Sequence, residues 1–527
     1  MAAVWTVPIS LLADNPAVEG AAYSSQSPRL RANLIRKLNW LNCTMTRSRR
    51  RQRQTETQGG LYRQLGAISI CIVDRSLGRK RMKRRHLIGI TAAALIMLAA
   101  PLFAEDLLGK GQRPNIVWIM AEDISTELAC YGHPAVKTPN LNALALQGAR
   151  YTQAFCTAPS CTPSRNAMMT GVYQTRTDTQ DQRRRGVNLP KGMKPITHLL
   201  REAGYYTALG CGYSAKTDLN FKAEPLFDGR DWRNRRKGQP FFAQITLPIT
   251  HRQKKGWGSV RKGSKHPVDP EKVELPPYFP NHPVCRQDWA MYLDAMETMD
   301  SQVATVLERL EKEGIADNTV VIFIGDNGRC HLRGKCWLYD AGIRVPLIIR
   351  WPDRLKPGTV NDDMVSRIDI SATILDIAGV KLPTWLDGHP ILGPRAKKRD
   401  HILAARDLID EVMDHIRCVR TRRFKYIRNY TPENGYRECK YVQRHRPMLA
   451  AIKDLQTQGK LTKVQQLILA KTKPKEELYD LQADPHEVNN LAQSPQHQKT
   501  LEELRALLEE WIADTKDTGL AQMESSN

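Results

Sequence analysis

Short apolar runs recur along the chain after residue 112. Residues 116–120 read IVWIM and residues 319–324 read TVVIFI, without the alternation of a half-exposed strand. An uninterrupted apolar run of this length is typical of a strand that is buried on both faces of a sheet. Residues 241–247 (FFAQITL) and 345–349 (VPLII) are further strand candidates.

Helical segments are predicted between these strands. Apolar residues recur at steps of three and four from Trp289 to Leu310, and Gly314 follows as an end signal. The first two apolar runs end in polar residues, Glu122-Asp123 and Asp326-Asn327. Because the carboxyl ends of neighbouring strands meet at one edge of an α/β sheet, we expect a functional site at that edge.

The pattern changes near residues 387–388. A basic cluster at 395–399 precedes short strand-like pieces at 401–404 and 424–427, and a Lys/Gln-rich stretch at 453–475 is interpreted as a solvated helix. A last helix is predicted after Ser494-Pro495. Its apolar stripe consists of Leu501, Leu504, Leu507, Leu508 and Trp511. The sequence therefore predicts a catalytic domain over 105–395 and a smaller C-terminal α+β domain over 396–527.

Composition limits the class of protein. Of 527 residues, 41% are apolar and 25% are charged, which excludes a wholly disordered or polytopic membrane protein. The net charge of +24 points to nucleic acid at first, but residues 1–81 alone hold 14 Lys and Arg against 4 Asp and Glu. Since the rest of the chain is only mildly basic, no nucleic-acid partner is expected.

A secretory signal peptide is predicted over residues 82–104. Three basic residues, Lys83 to Arg85, precede an uncharged apolar run that ends in small residues at Ala104. The alternative is an uncleaved membrane anchor, because 18 uncharged residues are near the lower limit for crossing a bilayer. The signal predicts an exported protein, periplasmic or extracellular, with no other membrane association.

The basic segment 1–81 precedes this signal. It is expected to be a disordered extension, because it carries many arginines and little apolar periodicity. An export signal belongs at the start of a chain, which favours translation from Met82 and makes 1–81 an upstream extension.

The most informative motif is Cys161-Thr162-Pro163-Ser164-Arg165, followed by Thr170-Gly171. A lone cysteine is most often a small buried hydrophobe. This pattern, however, resembles the signature of the type I sulfatases, in which a maturation enzyme oxidises the cysteine to formylglycine. The resemblance implies an alkaline-phosphatase-like α/β/α sandwich. It also implies that Cys161 is the formylglycine precursor, whose hydrated aldehyde is the nucleophile, and that Arg165 holds the gem-diol and the site anions.

The same resemblance implies a metal site. Glu122, Asp123, Asp326 and Asn327 match the positions at which sulfatases bind a divalent cation, together with matured Cys161. Hard oxygen ligands favour Ca²⁺, with Mg²⁺ as the less favoured ion. The family usually has Asp-Asp at the first pair, so Glu122 is a departure. A helix N-cap is the alternative role of such acidic residues.

Three further cationic residues are implied around the sulfate. Lys216 follows a Gly-Tyr-x-Thr segment at 204–207, His251 follows the strand candidate 241–247, and Lys335 follows the Asp-Asn-Gly run. The resemblance gives the two lysines and His251 a role in binding sulfate, with His251 also able to protonate the leaving group. The family commonly has a histidine where this chain has Asp218.

The residues around Lys335 are also notable. Cys330, His331 and Cys336 lack a second Cys/His pair at zinc spacing, so we expect a disulfide or a packing group. Basic residues are concentrated here as well: Arg329, His331, Arg333, Lys335 and Arg344. This concentration predicts a substrate with more than one negative charge.

The sequence therefore predicts an exported sulfatase that acts on a sulfated carbohydrate. The resemblance covers about residues 113–492 and leans toward bacterial relatives of heparan N-sulfatase. Two alternatives stay open: a phosphatase or phosphonate hydrolase of the same superfamily, and a pseudo-enzyme that only binds sulfated glycans. The sugar, the sulfate position and the oligomeric state are not readable from the sequence.

Overall fold

The computed structural model describes residues 113–212, 215–252, 256–436 and 447–526. All of these residues belong to the second of the chain's two compact units, Gly111–Asn527. The predicted extension 1–81 and signal peptide 82–104 lie outside the described residues.

A seven-stranded mixed sheet forms the centre of this unit, in the order β3-β4-β1-β5-β6-β2-β7. Its strands are β1 (Asn115–Ala121), β2 (Ala149–Phe155), β3 (Tyr206–Leu209), β4 (Phe241–Leu247), β5 (Thr319–Gly325), β6 (Arg344–Arg350) and β7 (Thr359–Ser366). Strand β6 is antiparallel to both neighbours, and the other pairs are parallel. Because β6 is antiparallel to β5, the connection between them lies at the end of the sheet where β5 ends. Strand β1 is parallel to β5, so β1 ends there as well.

The alternating side chains of β1 show how the sandwich is built. Val117, Ile119 and Ala121 belong to one hydrophobic core, and Ile116 and Trp118 belong to a second core on the opposite face. Successive strand residues point to opposite faces, so an apolar run supplies both cores at once. This arrangement confirms the α/β fold with helices on both sides of the sheet.

The helices in the described ranges cover the two faces of the main sheet and one face of a second sheet. They are α1 (Pro139–Gln147), α2 (Cys161–Thr170), α3 (Ile196–Glu202), α4 (Gly258–Gly263), α5 (Pro283–Lys312), α6 (Asp340–Ile343), α7 (Arg367–Ile377), α8 (Pro447–Thr457), α9 (Lys463–Gln466), α10 (Gln498–Thr515) and α11 (Thr518–Ser526). The predicted helix of residues 289–310 is α5, and the positive φ of 66° at Gly314 follows its end.

The C-terminal part forms a smaller four-stranded antiparallel sheet in the order β11-β10-β9-β8. Its strands are β8 (His401–Arg406), β9 (Ile416–Thr421), β10 (Phe424–Asn429) and β11 (Glu476–Asp480). Helix α10 buries Leu501, Leu504, Leu508 and Trp511 in the core of this region. The smaller α+β domain is confirmed, whereas its boundary at residue 395 stays a prediction.

One helix prediction is wrong. Residues 453–475 do not form a single solvated helix, because α8 ends at Thr457 and Gly459 adopts a φ of 66°. Lys473 is buried, and both oxygens of the Asp414 carboxylate accept hydrogen bonds from its ammonium group at 2.8 Å. Within the described ranges, no helix has the length and apolar character needed to cross a bilayer.

Candidate active site

The candidate nucleophile lies at the start of α2. Ser160 is extended and precedes Cys161, the first helical residue. Pro163 falls in the first turn, where its missing N–H costs no helical hydrogen bond. Arg165 lies four residues after Cys161, so both side chains occupy one face of the helix. The motif spacing thus places the cysteine and the arginine at one site.

The glycine of the motif ends this helix. Gly171 has a φ of 71°, which is left-handed, and its N–H donates to the carbonyl of Ala167. A Cβ at this position would lie 2.6 Å from Leu386 Cδ2. Both the backbone conformation and the close contact therefore require glycine.

Cys161 is buried close to a lysine and an amide. Its Sγ lies 4.0 Å from Lys335 Nζ and 3.7 Å from Gln182 Nε2. Burial raises the pKa of the Cys161 thiol to about 11. A cysteine that acts directly as a nucleophile needs a lowered thiol pKa. The unmodified side chain is therefore poorly suited to attack.

The ends of β1 and β5 meet beside this cysteine. Asp123 has a left-handed φ of 53°, and its N–H donates to Asp326 Oδ1 at 2.9 Å. Asp123 Oδ1 accepts hydrogen bonds from Lys335 Nζ at 2.6 Å and Asn327 Nδ2 at 2.9 Å. Burial alone would raise the pKa of the Asp123 carboxyl, but Lys335 and His251 outweigh it and hold that pKa well below its usual range.

Arg165 links the helix to both strand ends. Its guanidinium is fully buried, and it lies 3.0 Å from Asp326 Oδ2 and 3.4 Å from Glu122 Oε1. It also donates to Thr246 Oγ1 at 3.2 Å. Burial would lower the pKa of this guanidinium, but the two carboxylates outweigh burial and raise it. Arg165 therefore stays charged and fixes the helix against the sheet edge.

The remaining predicted cations surround Glu122. Lys216 Nζ lies 3.0 Å from Glu122 Oε1 and 3.4 Å from Asp218 Oδ2. His251 Nδ1 lies 3.2 Å from Glu122 Oε2 and 3.0 Å from Asp123 Oδ2. Asp218, which stands where the family commonly has histidine, thus helps to hold Lys216.

Two glycines allow the Lys335 connection to pack tightly. A Cβ on Gly328 would lie 2.2 Å from the carbonyl oxygen of Ala341, and one on Gly342 would lie 2.1 Å from the carbonyl oxygen of Trp337. The N–H of Gly328 donates to the Gly342 carbonyl at 2.8 Å. The glycines of the Asp-Asn-Gly and Ala-Gly runs are thus required by close backbone contact.

The donor chemistry of the site fits a hard divalent cation. The side chains of Glu122, Asp123, Asp326 and Asn327 supply oxygen donors, which Ca²⁺ and Mg²⁺ prefer. Asn327 Oδ1 is buried and accepts no hydrogen bond from any residue that the structure describes, whereas buried amide oxygens normally have a donor. No group of three or more His, Cys, Asp and Glu side chains in the described ranges is arranged to hold a metal by itself. A cation would therefore share its carboxylates with the cationic side chains already paired to them.

Sequence reasoning missed two contributors to the site. Gln182 contacts the Cys161 sulfur, and Arg367 donates to Ser164 Oγ at 2.7 Å and to the Asp326 carbonyl. Arg367 is buried and is the first residue of α7. The sequence at this position indicates only that a helix begins after Ser366. No local motif marks either residue, because each reaches the site from a distant segment of the chain.

Most side chains of the basic cluster after β5 have structural partners, so this cluster does not support the predicted polyanionic substrate. Arg329 pairs with Glu127 and Tyr278, and Arg333 lies 3.7 Å from the Tyr339 ring centroid. Arg344 Nη2 donates to the Thr152 carbonyl at 2.7 Å. These contacts occupy the guanidinium groups, and within the cluster Lys335 contacts the candidate nucleophile.

Cys330, His331 and Cys336 are buried in the larger core. His331 packs against Trp289, with ring centroids 4.8 Å apart, and lies 3.3 Å from Asp288 Oδ2. The packing interpretation of this group is therefore confirmed by its position.

Comparison with known proteins finds sulfatase sequences similar to this chain. A family model described as "Sulfatase" matches residues 114–228 and 221–380, and one described as "N-sulphoglucosamine sulphohydrolase, C-terminal" matches residues 328–471. An ulvan-active sulfatase from Formosa agariphila is 34% identical over 79% of this chain and 78% of its own length. Human N-sulphoglucosamine sulphohydrolase is 26% identical over 76% of this chain and 90% of its own length.

Solved structures show the same fold. One, in complex with its substrate D-glucosamine-2-N,6-O-disulfate, has a TM-score of 0.56 at 20% identity and covers 77% of this chain and 98% of that one. A phosphonate monoester hydrolase from Silicibacter pomeroyi also has a TM-score of 0.56, at 18% identity, over 77% of this chain and 97% of that one. The fold alone thus does not separate these activities, but the family model and the 34% identical relative do. The chain belongs to the sulfatase family.

Proposed function

We propose that this sulfatase removes sulfate from a sulfated carbohydrate, using formylglycine at residue 161 and one divalent cation, Ca²⁺ in preference to Mg²⁺. The observation that carries the proposal is the position of Cys161, at the start of α2, beside Lys335 and the two carboxylate-bearing strand ends. Relatives named for activity on ulvan and on N-sulphoglucosamine support a carbohydrate substrate.

The hydrated aldehyde of formylglycine would supply one hydroxyl for attack on sulfur and a second whose deprotonation would expel sulfate and restore the aldehyde, and the cation would lower the hydroxyl pKa and neutralise sulfate oxygens. The chain's own side chains would do the rest. Lys216 and Lys335 bind the sulfate oxygens, and the first N–H groups of α2 favour an anion at the helix start. Arg165 orients residue 161. His251, whose side chain is 27% accessible, would donate a proton to the leaving oxygen, which is the role that the sulfatase resemblance implies for it.

The modification is tested by mass spectrometry of the tryptic peptide 151–165. Conversion of cysteine to formylglycine removes about 18 Da. Because this peptide also contains Cys156, fragmentation must place the change on residue 161, and Cys156 serves as the unmodified control. An active enzyme with intact Cys161 would refute the proposal. An intact cysteine in an inactive, glycan-binding protein would favour the pseudo-enzyme.

The cation is tested on both binding and turnover. The chelated protein should bind Ca²⁺ in a titration and unfold at a higher temperature with it. Asn327→Ala removes the buried amide oxygen and should weaken that shift. Zinc at stoichiometric amounts, or full turnover after exhaustive chelation, would contradict the proposed cation and favour a phosphatase.

Phosphonate monoester hydrolysis, an alternative that the sequence left open, is tested as a further activity, since a solved hydrolase of that kind has the same fold. Matched aryl esters of sulfate and of a phosphonate separate the two activities. A higher kcat/KM for the phosphonate would overturn the sulfatase assignment for the preferred substrate.

The proposed location is outside the cytoplasm, after cleavage near Ala104. This part of the proposal depends on the signal-like run over residues 82–104. A gene that starts at Met82 should give an exported protein whose first residue lies close to 105. N-terminal sequencing that finds residues from 1–81 on the exported protein would contradict it.

A further inference from the structure

A small pocket opens next to the candidate nucleophile. It has a volume of about 260 Å³, and its wall includes Thr162, Lys216 and Asp218. Thr162 directly follows Cys161, and its hydroxyl donates to Asp218 Oδ1 at 3.0 Å. Lys216 reaches from this wall to Glu122 at 3.0 Å. The pocket therefore adjoins the proposed sulfate site through Thr162 and Lys216.

Two arginines complete the wall of this pocket. Arg183 and Arg185 line it from the segment that follows Gln182. With Lys216 they give three cationic side chains on the wall, of which Lys216 pairs with Glu122 and Asp218, and Arg183 pairs with Asp410. A concave surface with an excess of positive charge favours an anionic ligand.

The two arginines differ in how they are held. Arg183 Nη2 lies 2.8 Å from Asp410 Oδ1, and its backbone has a left-handed φ of 68°. Arg185 forms no ion pair with any residue in the described ranges. An unpaired arginine next to a fixed one leaves hydrogen-bond donors available to a ligand.

The backbone next to these arginines is held at Gln182, which contacts residues 408 and 410 on one side and Cys161 on the other. The N–H of Gln182 donates to the Leu408 carbonyl at 2.8 Å, and Gln182 Oε1 accepts from the N–H of Asp410 at 3.0 Å. The amide nitrogen of Gln182 contacts Cys161 Sγ. A bulky residue such as Arg183 adopts a positive φ only where its surroundings impose it, and such conformations are concentrated at functional sites. The backbone that carries the arginines is therefore fixed relative to residue 161, whereas their side chains extend toward solvent.

The scissile sulfate does not need these side chains. Arg165, Lys216 and Lys335 already surround the carboxylates and Cys161. The charge of Arg185 on the pocket wall is therefore available to a group of the substrate other than the scissile sulfate. We propose that Arg185, supported by Arg183, binds a second anionic group on the sugar that carries the scissile sulfate or on its neighbour, an inference that rests on the proposed sulfatase activity.

The anionic group is a carboxylate or a second sulfate, since the guanidinium fork binds either with two hydrogen bonds. A hydrogen bond to a charged group contributes enough binding energy that its loss weakens binding by about 10- to 100-fold. The group lies away from the reacting sulfur, so the contact is made equally in the ground and transition states. The loss should therefore fall on KM rather than on kcat.

Arg185→Gln is the test variant, and Arg184→Gln is its matched control. Arg184 is the intervening residue, is also solvent-accessible, and pairs with Asp178 at 2.8 Å rather than lining the pocket. Both changes remove one charge from the same segment. The substrates are a sulfated disaccharide with a uronate neighbour, its carboxyl-reduced form, a disulfated disaccharide with a neutral neighbour, and a small aryl sulfate. The measured quantity is kcat/KM for each disaccharide divided by that for the aryl sulfate.

Arg185→Gln should lower this ratio by about 10- to 100-fold for the substrate with the second anion, and Arg184→Gln by less than threefold. A loss confined to the uronate identifies a carboxylate, and a loss confined to the disulfated substrate identifies a sulfate. Equal losses for both variants, or no loss for either substrate, overturn the inference.

A binding measurement separates this inference from the proposed function. Calorimetric titration of the uronate and disulfated disaccharides into Cys161→Ala needs no turnover, and adding Arg185→Gln should raise Kd about 10- to 100-fold. If the parent hydrolyses no sulfate but this difference persists, the function fails and the subsite stands. If turnover is normal and Kd is unchanged for both ligands, the subsite fails alone.

Discussion

Lys335 gives a test in which stability and catalysis can be separated. Its ammonium group is almost fully buried, lies 2.6 Å from Asp123 Oδ1 and is 4.0 Å from the Cys161 sulfur. Lys335→Met keeps nearly the same side-chain volume and removes the charge. The variant therefore tests the ion pair and the catalytic charge without opening a large cavity.

The expected size of both effects follows from this burial. Removing one partner of a buried ion pair costs about 3–5 kcal/mol, because the other charge stays buried. His251 still lies 3.0 Å from Asp123 Oδ2, so we expect a value near the lower end, about 3 kcal/mol. Loss of a preorganised charge at the site should lower kcat by about 10²- to 10³-fold.

Lys473→Met is the matched control. Lys473 is also buried and pairs with Asp414 at 2.8 Å, but it belongs to the C-terminal region. Urea unfolding in the presence of chelator measures the stability of both variants. Turnover of a sulfate ester, per folded molecule, measures catalysis. Both variants should be destabilised, and only Lys335→Met should lose turnover. If Lys335→Met keeps turnover within threefold of the parent, or loses less than 1 kcal/mol of stability, the reasoning is refuted.

Three further substitutions test local physics by urea unfolding. Asp218 has its pKa lowered to about 2, because Lys216 and Arg165 outweigh the opposing effect of burial. Asp218→Asn should therefore lower the free energy of unfolding by about 2 kcal/mol at pH 7. This loss should shrink as the pH falls from 3.8 toward 2, because the parent carboxylate becomes protonated. An equal cost at pH 7 and pH 3 would contradict this. Gly171→Ala should cost more than about 1 kcal/mol, because φ is 71° and Leu386 is 2.6 Å from the new Cβ; added Leu386→Ala should recover none of the backbone part. Leu504→Ala should cost about 3 kcal/mol and leave kcat unchanged, since Leu504 is buried in the C-terminal core.

Much of the central sheet could be predicted because its strands are buried on both faces. The apolar runs of β1, β4, β5 and β6 are visible for that reason. Strands β2 and β7 were not predicted, because polar side chains interrupt their apolar residues, as in the sequence ARYTQAF of β2. Strand β2 pairs with β6 and with β7, and these pairings set the position of both strands in the sheet. The hydrophobic pattern within one strand does not identify its partners.

The site was predictable to the extent that motifs mark it. Cys161 and Arg165 could be named because their motif resembles the sulfatase signature, and the acids because they follow apolar strand runs and match that family's metal positions; the structure brings them together. The partners of the arginines after β5 could not be named. Arg329 pairs with Glu127, which lies about 200 positions earlier in the sequence, and Arg333 donates to the Glu487 carbonyl. Charge concentrated in sequence therefore overstated the charge available to substrate.

This redistribution of charge decides where specificity can arise. In the proposed mechanism the sulfate would lie against cations that already pair with the strand-end carboxylates, Arg165 with Asp326 and Lys335 with Asp123. Such a set is suited to binding any sulfate ester, because its geometry is fixed around residue 161. Discrimination among sulfated sugars then needs contacts farther from the sulfur, and an arginine without a protein partner can supply one. Arg185 lines the pocket beside Thr162 and forms no ion pair with any residue that the structure describes, so under the proposed subsite the scissile sulfate and the rest of the sugar would contact different sets of side chains.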